Sequence, residues 1–348
     1  MSEHTVVVTD HDFADLDIER EGLSDIADVV VLADDVAGGS DAAGGPDAAD
    51  EHDSEDGDGG GDADTADRHE QLAAADAIVN LRAELNSDAV AAATNCEVIA
   101  RYGIGVDNVA VETATEQGIP VTNVPDYCLE EVSTHALTMC LALSRALPAY
   151  DADVAAGGWD RGVGVPIHRF STQTVGVVGY GDIGRAVGAR ADALGATVLA
   201  SDPFLEPADV ADEPATLVEF ETLLERADFV TIHSPLTPET RALFDADAFA
   251  RMRDDAYLVN VARGPIVDAA ALRTALDDGE IAGAGLDVFP EEPPAADDPL
   301  RDHPDVLTTP HVAWYSEEAN DDRRRTVTDI VRTVLEGGEP YNVVNDVT

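Results

Sequence analysis

Three polar side chains stand just beyond three short apolar runs: Arg263 after 257–260, Glu292 after 283–287 and His311 after 306–308. A guanidinium can clamp a carboxylate through two parallel hydrogen bonds. An imidazole can take a hydroxyl proton as hydride leaves the same carbon, and return it in the reverse direction. A carboxylate beside that imidazole favours its charged form and fixes its orientation. Singly, the three also suit a surface cation, a solvated acid and a loop histidine. Their placement after successive strands of one sheet is what joins them.

Those strands belong to an alternation that opens at residues 174–184, Thr-Val-Gly-Val-Val-Gly-Tyr-Gly-Asp-Ile-Gly. The apolar run ends at Gly179, and Gly181 and Gly184 complete a G-x-G-x-x-G pattern before a helical stretch that Gly195 can cap. In that context the first glycine permits a tight turn, the second lets backbone approach a pyrophosphate, and the third allows close helix-to-strand packing. The next run, 196–201, leads to Asp202, eighteen residues after Gly184, where this fold places a partner for ribose hydroxyls. Residues 203–212 hold no Arg or Lys to receive a 2′-phosphate, which points to NAD rather than NADP.

Six strands are predicted from this point, at 174–178, 197–201, 229–233, 257–260, 283–287 and 306–308, with helices at 217–227, 247–252 and 269–277 among those between them. Upstream, strands are predicted at 5–9, 28–32, 77–81, 96–100 and 119–124, and a long helix at 130–147. Residues 34–68 are Gly, Ala, Asp and Glu with little to bury, and read as a disordered acidic loop. Gly103 and Gly105 follow a strand and expose backbone N–H groups suited to an anion. The expected class is α/β, with two Rossmann-like doubly wound domains. Residues 1–103 and 315–348 would form a discontinuous substrate domain, and 104–314 an inserted NAD-binding domain.

The chain has 71 acidic and 20 basic residues, a net charge of −51, and its sequence contains no Lys. Such a surface repels nucleic acid and anionic membranes, and resembles cytoplasmic proteins of extreme halophiles. Three cysteines, one necessarily unpaired, fit a reducing compartment, and residues 1–10 lack a signal-peptide pattern. No two histidines lie three to five residues apart, so no metal is expected.

Residues 178–185, 233–237, 260–264, 286–293 and 309–311 resemble the D-isomer-specific 2-hydroxyacid dehydrogenase family, within a match running in order from about residue 100 to 345. The resemblance implies Arg263, Glu292 and His311 as catalytic residues, with His311 donating the proton in 2-oxo acid reduction. It implies Asp202 on the adenosine ribose, Asp182 and Ile183 with Gly179, Gly181 and Gly184 at the pyrophosphate, and Asp287 on the nicotinamide carboxamide. His233, Pro235, Thr237, Val261, Ala262 and Arg263 would line the NAD site. Ile104, Gly105, Arg263 and His311 would contact the substrate, and Trp314 would favour an apolar side chain on it. Asp182 departs from the family pattern, because an acid near phosphates costs affinity unless it points away.

Residues 130–132 and 311–316 are similar to the C-terminal-binding-protein-like group, which leaves an NAD(H)-sensing regulator as an alternative. Phosphoglycerate dehydrogenases share the triad and are a further alternative; Asn80 and Arg82 stand where such an enzyme could place a phosphate contact. Family members generally pair as homodimers through the nucleotide domain.

Overall fold

The computed structural model describes residues 3–32 and 61–347, the side chains of 61–66 excepted. The chain divides into two units, Met1–Tyr127 with Glu317–Thr348, and Cys128–Ser316.

In the first unit, β1 (His4–Val8), β2 (Ala27–Val31), β3 (Ala77–Asn80), β4 (Val98–Arg101) and β5 (Val121–Thr122) form a parallel sheet in the order β2-β1-β3-β4-β5. Its helices are α1 (Asp17–Leu23), α2 (Gly61–Ala73), α3 (Ser87–Ala92) and α4 (Val111–Glu116). Every residue of β3 is buried, as expected of an inner strand covered on both faces. Asn86 caps α3, its side chain accepting from the Ala89 amide. The acidic loop expected at 34–68 needs correction, since 61–68 lie in α2; residues 34–60 lie outside the described residues.

The second unit opens with α5 (Leu129–Ser144) and α6 (Leu147–Ala155). Seven parallel strands follow: β6 (Thr174–Val178), β7 (Thr197–Ser201), β8 (Ala215–Leu217), β9 (Phe229–Ile232), β10 (Tyr257–Asn260), β11 (Gly283–Leu286) and β12 (Val306–Thr308). Their order is β12-β11-β10-β9-β6-β7-β8, the doubly wound arrangement in which the chain reverses direction at β6. Helices α7 (Asp182–Ala193), α8 (Phe220–Arg226), α9 (Ala246–Phe249) and α10 (Ala269–Asp277) connect them. The added strand, β8, takes Leu217 out of the helix expected at 217–227. Three residues are too short to carry a periodic signal, and only pairing with β7 defines them.

The last helix, α11 (Glu317–Leu335), belongs to the first unit and packs on α1. The boundary expected at 103/104 falls instead at 127/128, because β5 pairs with β4. The tail reinforces that edge: the Val344 amide donates to the Val121 carbonyl, and Asn345 accepts from the Val121 amide while donating to Thr115 and Ile119. The return point is 316/317 rather than 314/315.

Candidate active site

In the second unit the glycines of the fingerprint differ in what they permit. Gly179 has φ +85°, and a Cβ there would lie 2.5 Å from the Ser234 amide, so β6 can turn beside the end of β9 only without a side chain. At Gly184 a Cβ would lie 2.3 Å from the Gly179 carbonyl oxygen. At Gly181 it would meet nothing within 4 Å. The open space there lies at the start of α7, whose N-terminus has no side-chain cap. Its unpaired amides and dipole suit a pyrophosphate, with Ile183 in the first turn and Asp182 exposed to solvent. Asp202, at the end of β7, accepts from the Tyr180 amide at 2.9 Å and the Phe204 amide at 3.0 Å, tying its carboxylate to the fingerprint turn.

Around the end of β9, desolvation pushes the His233 pKa down to about 3, although part of the residue reaches solvent, so the ring is neutral. Its Nε2 pairs with the Thr231 hydroxyl at 2.9 Å. Pro235 and Thr237 close a turn with Thr240: the Thr240 hydroxyl donates to the Pro235 carbonyl and accepts from the Thr237 amide.

The three polar residues at the later strand ends share one loop cluster. A Cβ on Gly264 would fall 2.0 Å from the Phe289 carbonyl carbon, so the Arg263 turn lies directly against the segment leading to Glu292. Arg263 follows the buried Val261 and the half-buried Ala262, and its Nη1 donates to the Ala262 carbonyl at 2.8 Å. His311 Nδ1 donates to Glu292 Oε2 at 2.5 Å, and Glu292 Oε1 accepts from the Phe289 amide at 3.0 Å. Burial pushes the Glu292 carboxyl up, but the His311 hydrogen bond and charge, the Phe289 amide and the Arg263 charge outweigh it, leaving its pKa below the ordinary value. With Nδ1 committed to a carboxylate, His311 can present Nε2 to a reacting hydroxyl or carbonyl.

His311 itself has φ +53°, a left-handed backbone that costs a non-glycine residue on the order of 1–3 kcal/mol. Asp287, 1% exposed, holds that turn: Oδ1 accepts from the Thr309 hydroxyl at 2.5 Å and the Val312 amide at 2.9 Å, and Oδ2 from the Ala313 amide at 2.9 Å. The Asp287 carbonyl accepts from the His311 amide at 2.7 Å. Trp314 braces the same turn, Nε1 donating to the His311 carbonyl at 2.9 Å and its ring meeting Tyr315 edge to face. His135, on α5, extends the support by donating from Nε2 to the Thr309 hydroxyl at 3.0 Å. Sequence reasoning missed His135 and Thr309 as supports, because nothing local connects residue 135 with 309.

Arg263, Glu292, His311 and Trp314 thus lie in one unit, whereas Ile104 and Gly105 belong to the other. There they follow β4, where the Asn123 side chain donates to the Ile104 carbonyl at 2.7 Å. Asn80, considered as a phosphate contact, is fully buried; it donates to Thr9 and Ala83 and accepts from Asn108.

Residues 137–313 match the family model described as D-isomer specific 2-hydroxyacid dehydrogenase, NAD binding domain. The chain is 41% identical over 286 residues to D-3-phosphoglycerate dehydrogenase of Mycobacterium tuberculosis, covering 81% of this chain and 54% of that protein. It is 37% identical over 282 residues to glycerate dehydrogenase of Methylorubrum extorquens, covering 79% and 87%. The chain spans about half the length of the phosphoglycerate dehydrogenases it matches. Among solved structures, the TT0316 protein from Thermus thermophilus superposes with a TM-score of 0.80 at 28% identity, covering 98% of this chain and all of that one.

Proposed function

Since the chain belongs to the D-isomer-specific 2-hydroxyacid dehydrogenase family, we propose that it is an NAD-dependent oxidoreductase interconverting a D-2-hydroxy acid and its 2-oxo acid. The observation that carries this reading is the His311–Glu292 pair beside Arg263. The ionised Glu292 holds the Nδ1 proton, so Nε2 gives a proton to the carbonyl oxygen in reduction and takes it back in oxidation. Arg263 clamps the substrate carboxylate and orients C2. The bound nicotinamide supplies or accepts the hydride. Gly181 and the start of α7 would hold the pyrophosphate and Asp202 the ribose, while the neutral His233 adds no charge near the cofactor.

The test is NADH oxidation in molar KCl against a panel of 2-oxo acids, with His311→Ala as control. The variant should lose roughly 10²–10⁴-fold in kcat while binding NADH normally. Near-normal turnover by the variant refutes the acid–base role. NADH binding with no turnover of any acid would favour the regulatory sensor. Preference for 3-phosphohydroxypyruvate would assign the activity of the phosphoglycerate relatives.

The protein would act as a homodimer in the cytoplasm of a halophile. For pairing, α6 buries none of its own residues, and α6 with the following segment exposes Leu147, Val154, Trp159, Val163 and Val165, with Trp159 91% exposed. For the compartment, all three cysteines are free and buried; a cell-fractionation blot finding the protein outside the cytosol would refute this.

A further inference from the structure

One face of α5 reaches the segment that carries His311. Glu131, His135 and Met139 follow one another at four-residue spacing and so share a ridge along the helix. Met139 lies on β11, where a Cβ on Gly285 would come 3.2 Å from its Sδ, so the glycine lets the helix sit close to the strand. One turn nearer the start of α5, His135 Nε2 is 3.0 Å from the Thr309 hydroxyl and 3.8 Å from Asp287 Oδ1. A further turn back, Glu131 Oε1 accepts from the Ser316 hydroxyl at 2.7 Å. The ridge thus holds both ends of the segment 309–316, with His311 between them.

The hydrogen bonds around Thr309 have a direction. A hydroxyl has one proton, and at 2.5 Å Thr309 gives it to Asp287 Oδ1. Its oxygen can then only accept from the imidazole, so His135 carries a proton on Nε2 whatever the state of its Nδ1. Asp287 in turn holds the Val312 and Ala313 amides. The left-handed backbone of His311 lies inside this network, and such a conformation persists only where the surroundings over-determine it.

We propose that His135 is a positioning residue for the reaction: by donating to Thr309 it keeps His311 in the turn where its ring meets Glu292, and so sets kcat without touching substrate or cofactor. The inference rests on the dehydrogenase reading above, in which His311 moves the proton. Released from that turn, the ring loses its bond to Glu292, and a reacting group displaced by about 1 Å costs up to roughly 10²-fold in rate.

The experiment uses whichever of glyoxylate, pyruvate, hydroxypyruvate and 3-phosphohydroxypyruvate the wild type reduces fastest. It measures kcat, KM and the NADH dissociation constant for the wild type, His135→Leu and His135→Gln. Leucine fills similar space without a donor, whereas glutamine places an amide N–H at similar reach. His135→Leu should lose about tenfold or more in kcat with NADH binding within about twofold of the wild type, and His135→Gln should recover most of that loss. In a Thr309→Val background, His135→Leu should cost less than about twofold more, because the hydroxyl it acts through is gone. An unchanged kcat in His135→Leu overturns the proposal, as do a Gln variant equally slow, a parallel loss of NADH binding, or losses that simply multiply in the double variant. Should His135→Leu fail to fold, His135→Asn takes its place, since that amide is too short to reach Thr309, and the same outcomes decide. If the wild type binds NADH but reduces no 2-oxo acid, the dehydrogenase reading falls and the proposal falls with it. With the wild type active, the overturning results above remove the proposal alone.

Discussion

Glu292 couples the site to pH. Its carboxyl titrates below the ordinary range because His311, the Phe289 amide and Arg263 together outweigh the effect of burial. A carboxyl whose folded pKa is depressed contributes stability that is fully present above the unfolded value, about 4.3, and is lost as pH falls through the lower folded value. Glu292→Gln should therefore flatten the acid limb of the stability curve, read as the thermal midpoint between pH 6 and 3. It should also lower kcat more than NADH affinity, because the amide no longer stabilises a charged imidazole. An acid limb that keeps the wild-type slope would refute the assignment. Glu292 and His311 were legible as a candidate pair from their positions after strands. The φ of +53° at His311 and the buried Asp287 that holds it were not, since those contacts join residues 22 to 26 apart through a loop with no local signature.

The joint between α1 and α11 is where the chain's two ends meet in the first unit. A Cβ on Gly22 would lie 2.4 Å from Thr328 Cγ2, so glycine permits this approach. Beside it Glu19, 2% exposed, is gripped by Arg324 and receives the Tyr102 hydroxyl at 2.9 Å. Burial and then the Glu19 charge push the Tyr102 phenol well above its usual range. A buried ion pair is weak evidence of net stability, but removing one partner strands the other, at a cost of about 3–5 kcal/mol. Glu19→Ala should lose roughly that amount in urea unfolding at molar KCl, whereas the double variant Glu19→Met/Arg324→Met should recover much of it. A single-variant loss under about 1 kcal/mol would show the pair to be solvated. The return of the chain's end to this unit was legible, since residues 315–348 were expected beside 1–103. The ion pair it makes was not, because Glu19 and Arg324 stand 305 positions apart.

With a net charge of −51 and cations supplied by arginine alone, the folded chain repels itself over distances that salt controls. The Debye length falls from about 10 Å at 0.1 M to about 3 Å at 1 M, so the thermal midpoint should climb by several degrees as KCl is raised to 2 M. The exposed apolar stretch around α6 should then hold two copies together, giving twice the chain mass in sedimentation velocity at that salt. A midpoint indifferent to salt removes the halophilic reading, and a monomer at 2 M KCl removes the dimer.

The alternation of strand and helix, the glycine fingerprint with its acidic partner and the order of Arg263, Glu292 and His311 were all readable because each depends on neighbours within a few turns of chain. Strand β8, the unit boundary at 127/128, the bracing of His311 by Asp287, Thr309 and His135, and the engagement of Arg82 and Arg323 by Asp12 were decided by tertiary structure alone. A sequence pattern records local propensity and burial, whereas hydrogen bonds and ion pairs between distant segments exist only once the sheets have brought those segments together.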